Sequence, residues 1–264
     1  MKSTRLLNLT LAVLSFACLL STTQAGDFAD SVVSYEPGAG TQPRFRDPTA
    51  ALGTPSQVNP FGDTTDPFNP PYGTNQIVSI GAGGSLVLQF HKPILNHPNN
   101  LYGYDFILFG NTGFIITNEF DLTTFTYIGT PATDGSIFSQ NTGETVVSVS
   151  RDGSHFFALN PEAAPVADGP LPTDGQGDPQ IPTLPGLAPD DFTGATLDDI
   201  RTLYRGSAGG TPFDISWAID ASGRRVALPE IRFVRIDVLS GKSEIDAVSV
   251  VSRRPRLGGG KKEF

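Results

Sequence analysis

The chain has 264 residues, a formal net charge of -9, 29 glycines, 22 prolines and a single cysteine, Cys18. Between Gly26 and Ile200 only 4 basic side chains (Arg44, Arg46, Lys92 and Arg151) stand against 20 acidic ones, a balance that argues against nucleic acid as a partner. From Arg201 onward the count reverses to 12 basic against 7 acidic, with the excess gathered in the terminal "RRPRLGGGKKEF".

At the start of the chain, Lys2 and Arg5 precede an apolar run from Leu6 to Leu20 and a small-residue exit at Thr23-Gln24-Ala25. This is the pattern of a secretory signal peptide over residues 1–25. Ser15 and the continuing Leu19-Leu20 around Cys18 speak against a lipoprotein. The mature chain is free of cysteine and runs to roughly 240 residues, enough for one large β domain over 26–252. It contains no second apolar span of membrane length, so the expected product is secreted, to periplasm, cell surface or medium. The basic residues 253–264 read as a solvated, disordered tail.

Short alternating segments rich in Val, Ile and Phe predict an all-β sandwich with long loops. Strands are expected near "SVVSYEP", "QIVSIGAG", "GSLVLQFHKPI", "YDFILFGN", "FTYIGT", "ETVVSVSRDG", "HFFALNP", "FDISWAID", "EIRFVRIDVLS" and "EIDAVSVV". In "GGSLVLQF" the residues Leu86, Leu88 and Phe90 share a face, and Asp152-Gly153 marks a hairpin turn. Only "TLDDIRTLYRG" reads as a helix, with Thr196 as its cap, Asp198 and Asp199 in its first turn and Gly206 as its stop. It is expected to cover an open end or edge of the sandwich. Residues 53–75 and 161–191, dense in proline, read as surface loops.

Most catalytic signatures are missing. His91, His97 and His155 have no zinc-ligand spacing, no G-x-S-x-G elbow occurs, and no phosphate-binding glycine motif is present. Carboxylates remain. In "SGKSEIDAVSVV" the period of a strand puts Glu244 and Asp246 on one face about 7 Å apart, followed on that face by Val248 and Val250. Two carboxylates this close repel unless a cation neutralises them or one holds a proton. Three readings stand side by side: a structural cation such as calcium, ordinary polarity at a strand end, and a catalytic pair.

The order "VVSYEPGAG", "FRDPTAALGTP", "VSIGAGGSLVLQF", "YDFILFGN", "VVSVSRDGSHFFAL", "FDISWAID", "IRFVRIDV" and "EIDAVSVV" resembles a family of secreted bacterial cell-surface proteins, several of them PEP-CTERM-type exported proteins. Their domain is similar to the galactose-binding-like, or discoidin-like, sandwich. The resemblance implies a jelly-roll sandwich, ligand loops at one end that often take sugars, and a structural calcium. On that analogy Glu244 and Asp246 would be metal ligands, with Asp47 and Asp105 as poorer candidates. The chain departs from the family in carrying "FGN" at 109–111 where relatives commonly have "FEN", in lacking the C-terminal sorting pattern, and in its long 161–191 insertion.

For sugar binding, planar side chains beside polar groups are wanted on exposed loops. Phe61, Phe68 and Tyr72 lie in the 53–75 loop with Asp63, Asp66 and Asn69, compatible with a binding rim or with aromatics folded back over the core. Trp217, alternating with Ile215 and Ile219, reads as a core residue. The sequence thus points first to a non-catalytic binding module for carbohydrate or another surface ligand. A glycoside hydrolase using paired carboxylates and a scaffold protein without a small ligand are the alternatives.

Overall fold

The computed structural model describes residues 26–140 and 143–252, so the signal peptide and the basic tail read from the sequence lie outside the described residues. The first nine strands are β1 (Ser31–Glu36), β2 (Val78–Gly81), β3 (Gly84–Leu95), β4 (Phe106–Gly110), β5 (Gly113–Ile116), β6 (Phe120–Asp121), β7 (Thr126–Tyr127), β8 (Ala132–Phe138) and β9 (Thr145–Ser150). After them come β10 (Phe157–Leu159), β11 (Ala195–Thr196), helix α1 (Leu197–Tyr204), β12 (Thr211–Phe213), β13 (Ala218–Ile219), β14 (Glu230–Val238) and β15 (Lys242–Val250).

Two antiparallel sheets form the sandwich, one ordered β1-β3-β14-β9-β10-β13 and the other β12-β4-β15-β2. The larger sheet obeys the alternation in the sequence. Val234 pairs with Leu88 on one side and Val149 on the other, and Ile236 with Leu86 and Val147. These rows are buried against Phe106, Leu108, Phe213, Ile245 and Val248 of the smaller sheet, in one continuous core. The expected inward face of Leu86, Leu88 and Phe90 is there.

The smaller sheet is buried on both faces. On β4, Phe106 and Leu108 point into the sandwich, while Ile107 and Phe109 join Ala208, Ala247 and Val251 in a separate apolar cluster on the outer side. An unbroken apolar run such as "FILF" is what a strand covered twice requires. The outer cover comes largely from residues 161–191, which are not a surface loop as predicted: Ala167, Asp168, Leu171, Thr173, Asp174 and Thr183 are buried. Because its prolines lack N–H groups, this segment is stitched down through carbonyls and flanking side chains. Pro172 O accepts from the Tyr204 hydroxyl at 2.8 Å, Pro179 O from Ser249 Oγ at 2.5 Å, and Leu171 O from Gly210 N at 3.0 Å. Asp174 adds a two-pronged ion pair with Arg201 of α1, at 2.8 and 3.1 Å.

The helix begins as the sequence dictates. Thr196 Oγ1 accepts from Asp199 N at 3.4 Å and the Asp199 carboxylate accepts from Thr196 N at 3.0 Å, a reciprocal cap. Its exit uses Arg205, at φ +53°, before Gly206 at φ +87°. The apolar stripe Ile200 and Tyr204 packs with Phe68, Phe114, Leu171, Phe192 and Ala195, beside a small sheet ordered β11-β8-β5. The helix therefore belongs to a second, satellite core rather than to an open sandwich end.

Two further expectations change. "DISWAID" is no continuous strand: Asp214 accepts from Ser216 N at 2.7 Å and caps a single tight turn, Ile215–Trp217, leaving only Ala218 and Ile219 to pair with β10. On β15, Ile245 pairs with Gly110 and Ala247 with Phe109, so Asp246 is an extra residue, a bulge. The bulge breaks the period of two. Ile245 and Val248 face the sandwich core while Ala247 and Val251 face outward, so Glu244 and Asp246 do not share the face of Val248 and Val250.

Gly110 shows how closely the cover is seated. A Cβ there would lie 2.3 Å from Asp168 Oδ1 and 2.8 Å from Glu244 O. Gly110→Ala is expected to cost about 1–3 kcal/mol of stability, the usual range for overpacking. The cost should shrink in an Asp168→Ala background; equal losses in both backgrounds by urea denaturation would show that the contact is not what fixes the loop.

Candidate functional site

The acidic residues picked out by sequence separate into three places. Asp47 is exposed at the start of a short turn, where it accepts from Thr49 N at 3.0 Å and Thr49 Oγ1 at 2.6 Å, bonds that lower its pKa. Asp105 is buried just before β4. It accepts from Ile215 N at 2.8 Å, Asn100 Nδ2 at 2.7 Å and His97 N at 3.4 Å, gathering two loops at one end of the sheet. Since Val250 pairs with Phe106 and Ile245 with Gly110, the end of β4 holding Asp105 lies about 17 Å along the strands from Glu244. Neither Asp47 nor Asp105 joins the β15 pair.

Glu244 and Asp246 both lie under the outer cover, with different partners. Asp246 accepts from Ser56 N and Ser56 Oγ, each at 2.8 Å, so it clamps the 53–75 loop onto the bulge. Glu244 accepts from Lys242 Nζ at 2.6 Å and from Asn111 Nδ2 at 2.5 Å. Beside it is a residue that the sequence reading missed. Asp168, 1% exposed, accepts from Glu244 N at 3.3 Å through Oδ2, while its Oδ1 and Asn111 Oδ1 have no partner among the described residues. Burial, and then the charge of Glu244, hold the Asp168 carboxyl well above the usual carboxylate range, against the opposing hydrogen bond from Glu244 N. The signal for Asp168 was an acid flanked by Ala167 and Gly169 in a segment otherwise read as solvent-facing.

The aromatic loop also divides. Asn59 Oδ1 accepts from Phe61 N and Asp63 N and forms a small turn, tied down by Gln76 Nε2 donating to Val58 O at 2.5 Å. At its tip Phe61 is 81% exposed and stands 6.0 Å from the ring of Tyr72, which is itself exposed; Asp63 is exposed on the same turn. Phe68, by contrast, is buried in the satellite core.

Around Phe68 opens a cleft of about 730 Å³. Phe68 and Phe114 line it together with Ile115, Tyr127, Phe138 and Leu197, and Asp66, Asn69 and Asp198 bring polar groups to it. Asp66 is fixed by accepting from Phe68 N at 2.8 Å and from Asn69 N at 3.1 Å, which also sets the turn that carries Phe68. Tyr127 is braced edge-on against Phe120 at 5.1 Å. Asp198 sits in the first turn of α1, where the helix dipole favours its negative charge. Apolar ring surface combined with carboxylate and amide groups can hold a ligand that has both C–H faces and hydroxyl donors. Tyr127 and Phe138 were not singled out by sequence, and Asp198 only as a first-turn helix residue, because β7, β8 and α1 are brought together only by the fold.

No known protein-family model matches the chain, and no curated protein matches it in sequence.

Burial pushes the carboxyls of Asp105 and Asp246 up to about 7, against hydrogen bonds that favour the charged form. The unfolded chain would hold them near 3.8. Between those values the native state binds more protons than the unfolded state, so stability falls as pH rises from about 4 to about 7, by at most about 1.4 kcal/mol per pH unit for each group. Asp246→Asn should flatten this dependence in urea melts taken across the window. An unchanged slope would mean that Asp246 is not a source of it.

Proposed function

We propose that this chain is a secreted, non-catalytic β-sandwich binding module whose ligand is a carbohydrate held in the cleft between Phe68, Tyr127, Phe138 and the carboxylates of Asp66 and Asp198. The observation that carries the reading is the combination in one cleft of about 730 Å³ of aromatic walls with acidic and amide side chains. Pyranose rings offer apolar faces to the first and hydroxyls to the second. Export rests on the leader pattern of residues 1–25. The exposed Phe61–Tyr72 pair with Asp63 extends the binding surface along the same loop.

A binding role is favoured over glycoside hydrolysis by how the acids are engaged. Glu244 and Asp246 are buried beneath the outer cover and do not line the cleft, and Asp66 Oδ1 is engaged by backbone donors of its own turn. Hydrolysis needs two carboxyl groups flanking one bond in an open site.

Retention on immobilised polysaccharides measures the ligand directly. Wild-type protein should be retained on at least one glycan, and Tyr127→Ala and Asp198→Ala should each weaken binding by about tenfold, the loss of one stacking or charged hydrogen-bond contact. Failure to bind any glycan in a broad panel, or binding indifferent to both substitutions, would reject the cleft as a sugar site.

The same proposal includes a structural calcium, and the donor set that fits it differs from the one read from sequence. Glu244, Asp168 and Asn111 would hold the ion, because Asp168 Oδ1 and Asn111 Oδ1 are buried oxygen acceptors lacking donors among the described residues. Both oxygens of Asp246 are committed to Ser56. Excess EGTA should lower the melting temperature, since an ion bound only by the folded chain stabilises it. A melting curve unmoved by EGTA would leave Lys242 and a protonated Asp168 as the whole neutralisation of the cluster.

A further inference from the structure

A second pocket, of about 260 Å³, lies apart from the cleft where the start of β4, the outer cover and the turn Ile215–Trp217 meet. Tyr104 and Trp217 form an edge-to-face pair, 6.0 Å between centroids at 81°, and Pro165, Pro170 and Pro212 complete the apolar lining. No charged side chain among the described residues lines it. Trp217 is half-buried and Phe213 stacks edge-on behind it at 6.5 Å, so the indole is held firmly while part of it remains open.

Three polar groups in this lining are unpaired, while the Thr211 hydroxyl accepts from Gly169 N at 3.1 Å. Neither the Trp217 indole N–H nor the Tyr104 hydroxyl hydrogen-bonds to any described residue, and the Thr183 hydroxyl, 1% exposed, has no partner among them. An indole can only donate, while the hydroxyls can donate or accept. No side-chain carboxylate or carboxamide of the described residues lines the pocket to receive a donor from the ligand. A sugar ring, covered in O–H donors, would find only hydroxyls among the side-chain acceptors there. A prolyl residue has the opposite balance: a flat C–H ring, a carbonyl acceptor and no N–H. Extended proline-containing segments dock in aromatic-lined grooves on this logic, at small entropic cost because their backbone is already restricted. Asp214, the residue capping the Trp217 turn, adds a negative charge close enough to raise the Tyr104 pKa, after the larger effect of burial.

We infer that this pocket is a docking site for an extended, proline-containing segment of a partner protein, with an arginine or lysine beside the proline facing Asp214. The ring packs against the open surfaces of Tyr104 and Trp217 on the pocket side of their edge-to-face contact, and the preceding carbonyl accepts from the indole N–H or the tyrosine hydroxyl. This site is independent of the cleft.

Trp217 is the only tryptophan in the chain, so its fluorescence reports on this pocket alone. The full chain and its Pro255→Ala variant are titrated with a capped synthetic decapeptide built on Arg-Pro-Pro. The variant is included because the chain's own Arg254-Pro255-Arg256 carries the same chemistry. A saturable blue shift is expected in both proteins, absent when alanine replaces the peptide prolines. Tyr104→Phe, which keeps the ring, should weaken binding up to about tenfold. Asp214→Asn should weaken the arginine peptide but not an oligoproline lacking arginine. No shift in either protein, an equal shift with the alanine peptide, or saturation by a neutral oligosaccharide instead, would overturn the proposal. A shift confined to Pro255→Ala would overturn the partner in favour of the chain's own segment.

Discussion

The outer face of the β12-β4-β15-β2 sheet is both buried and polar, and much of the architecture answers to that. Glu244, Asp246, Ser249 and Asn111 stand there among Ile107, Phe109 and Ala247. Withdrawing such groups from water is costly unless each finds a hydrogen-bond partner. The partners come from far along the chain. Ser56 serves Asp246, Pro179 serves Ser249, Asn111 donates to the Glu244 carboxylate while Asp168 accepts from the Glu244 backbone N–H, and Lys242 on the strand itself supplies the compensating charge. The two long proline-bearing segments are thus fixed by the needs of a sheet face, and they in turn support what lies beyond them.

That dependence reaches the cleft and the pocket to which binding is assigned by proposal. The 53–75 segment, pinned at Ser56, goes on to present Phe68, Asp66 and Asn69 to the large cleft. The 161–191 segment, pinned at Asp168, Asp174 and Pro179, contributes one wall of the Tyr104–Trp217 pocket and a floor residue, Leu171, of the satellite core. Phe68, Asp66 and Asn69 in the cleft and the outer-cover residues of the pocket are thus anchored, which would reduce the ordering cost of any binding there.

Much of the sandwich could be read from the chain before folding. "GSLVLQF" and "TVVSVS" alternate because one face meets the core and the other does not, and "TLDDIRTLYRG" announces its helix through Thr196 and Asp199. What escaped has physical causes. A bulge is one unpaired residue in a ladder, and nothing in "EIDAV" itself marks Asp246 as the extra one, because the pairing partner is more than a hundred positions away. β8 was missed because "ATDGSIF" contains a glycine at φ +91° and polar residues on a surface half covered by the turn around Pro189. "DISWAID" alternates like a strand, yet Asp214 and Ser216 make a local bond that competes with pairing. The buried acids were legible only in part. Glu244 and Asp246 were picked out from the strand, but Asp168 sits in a stretch whose prolines pointed to solvent. The cleft residues Tyr127, Phe138 and Asp198 share no local pattern with Phe68.

The contact between Gly110 and Asp168 ties two distant positions into one heritable unit. Here the strand carries no side chain at that point, and an acid borrowed from the 161–191 insertion lies against its backbone instead. A chain with a side chain at 110 must route its outer segment along another path, and a chain with this insertion must keep the glycine. The two features are physically coupled: the missing side chain at 110 is what lets the Asp168 carboxylate lie against the strand.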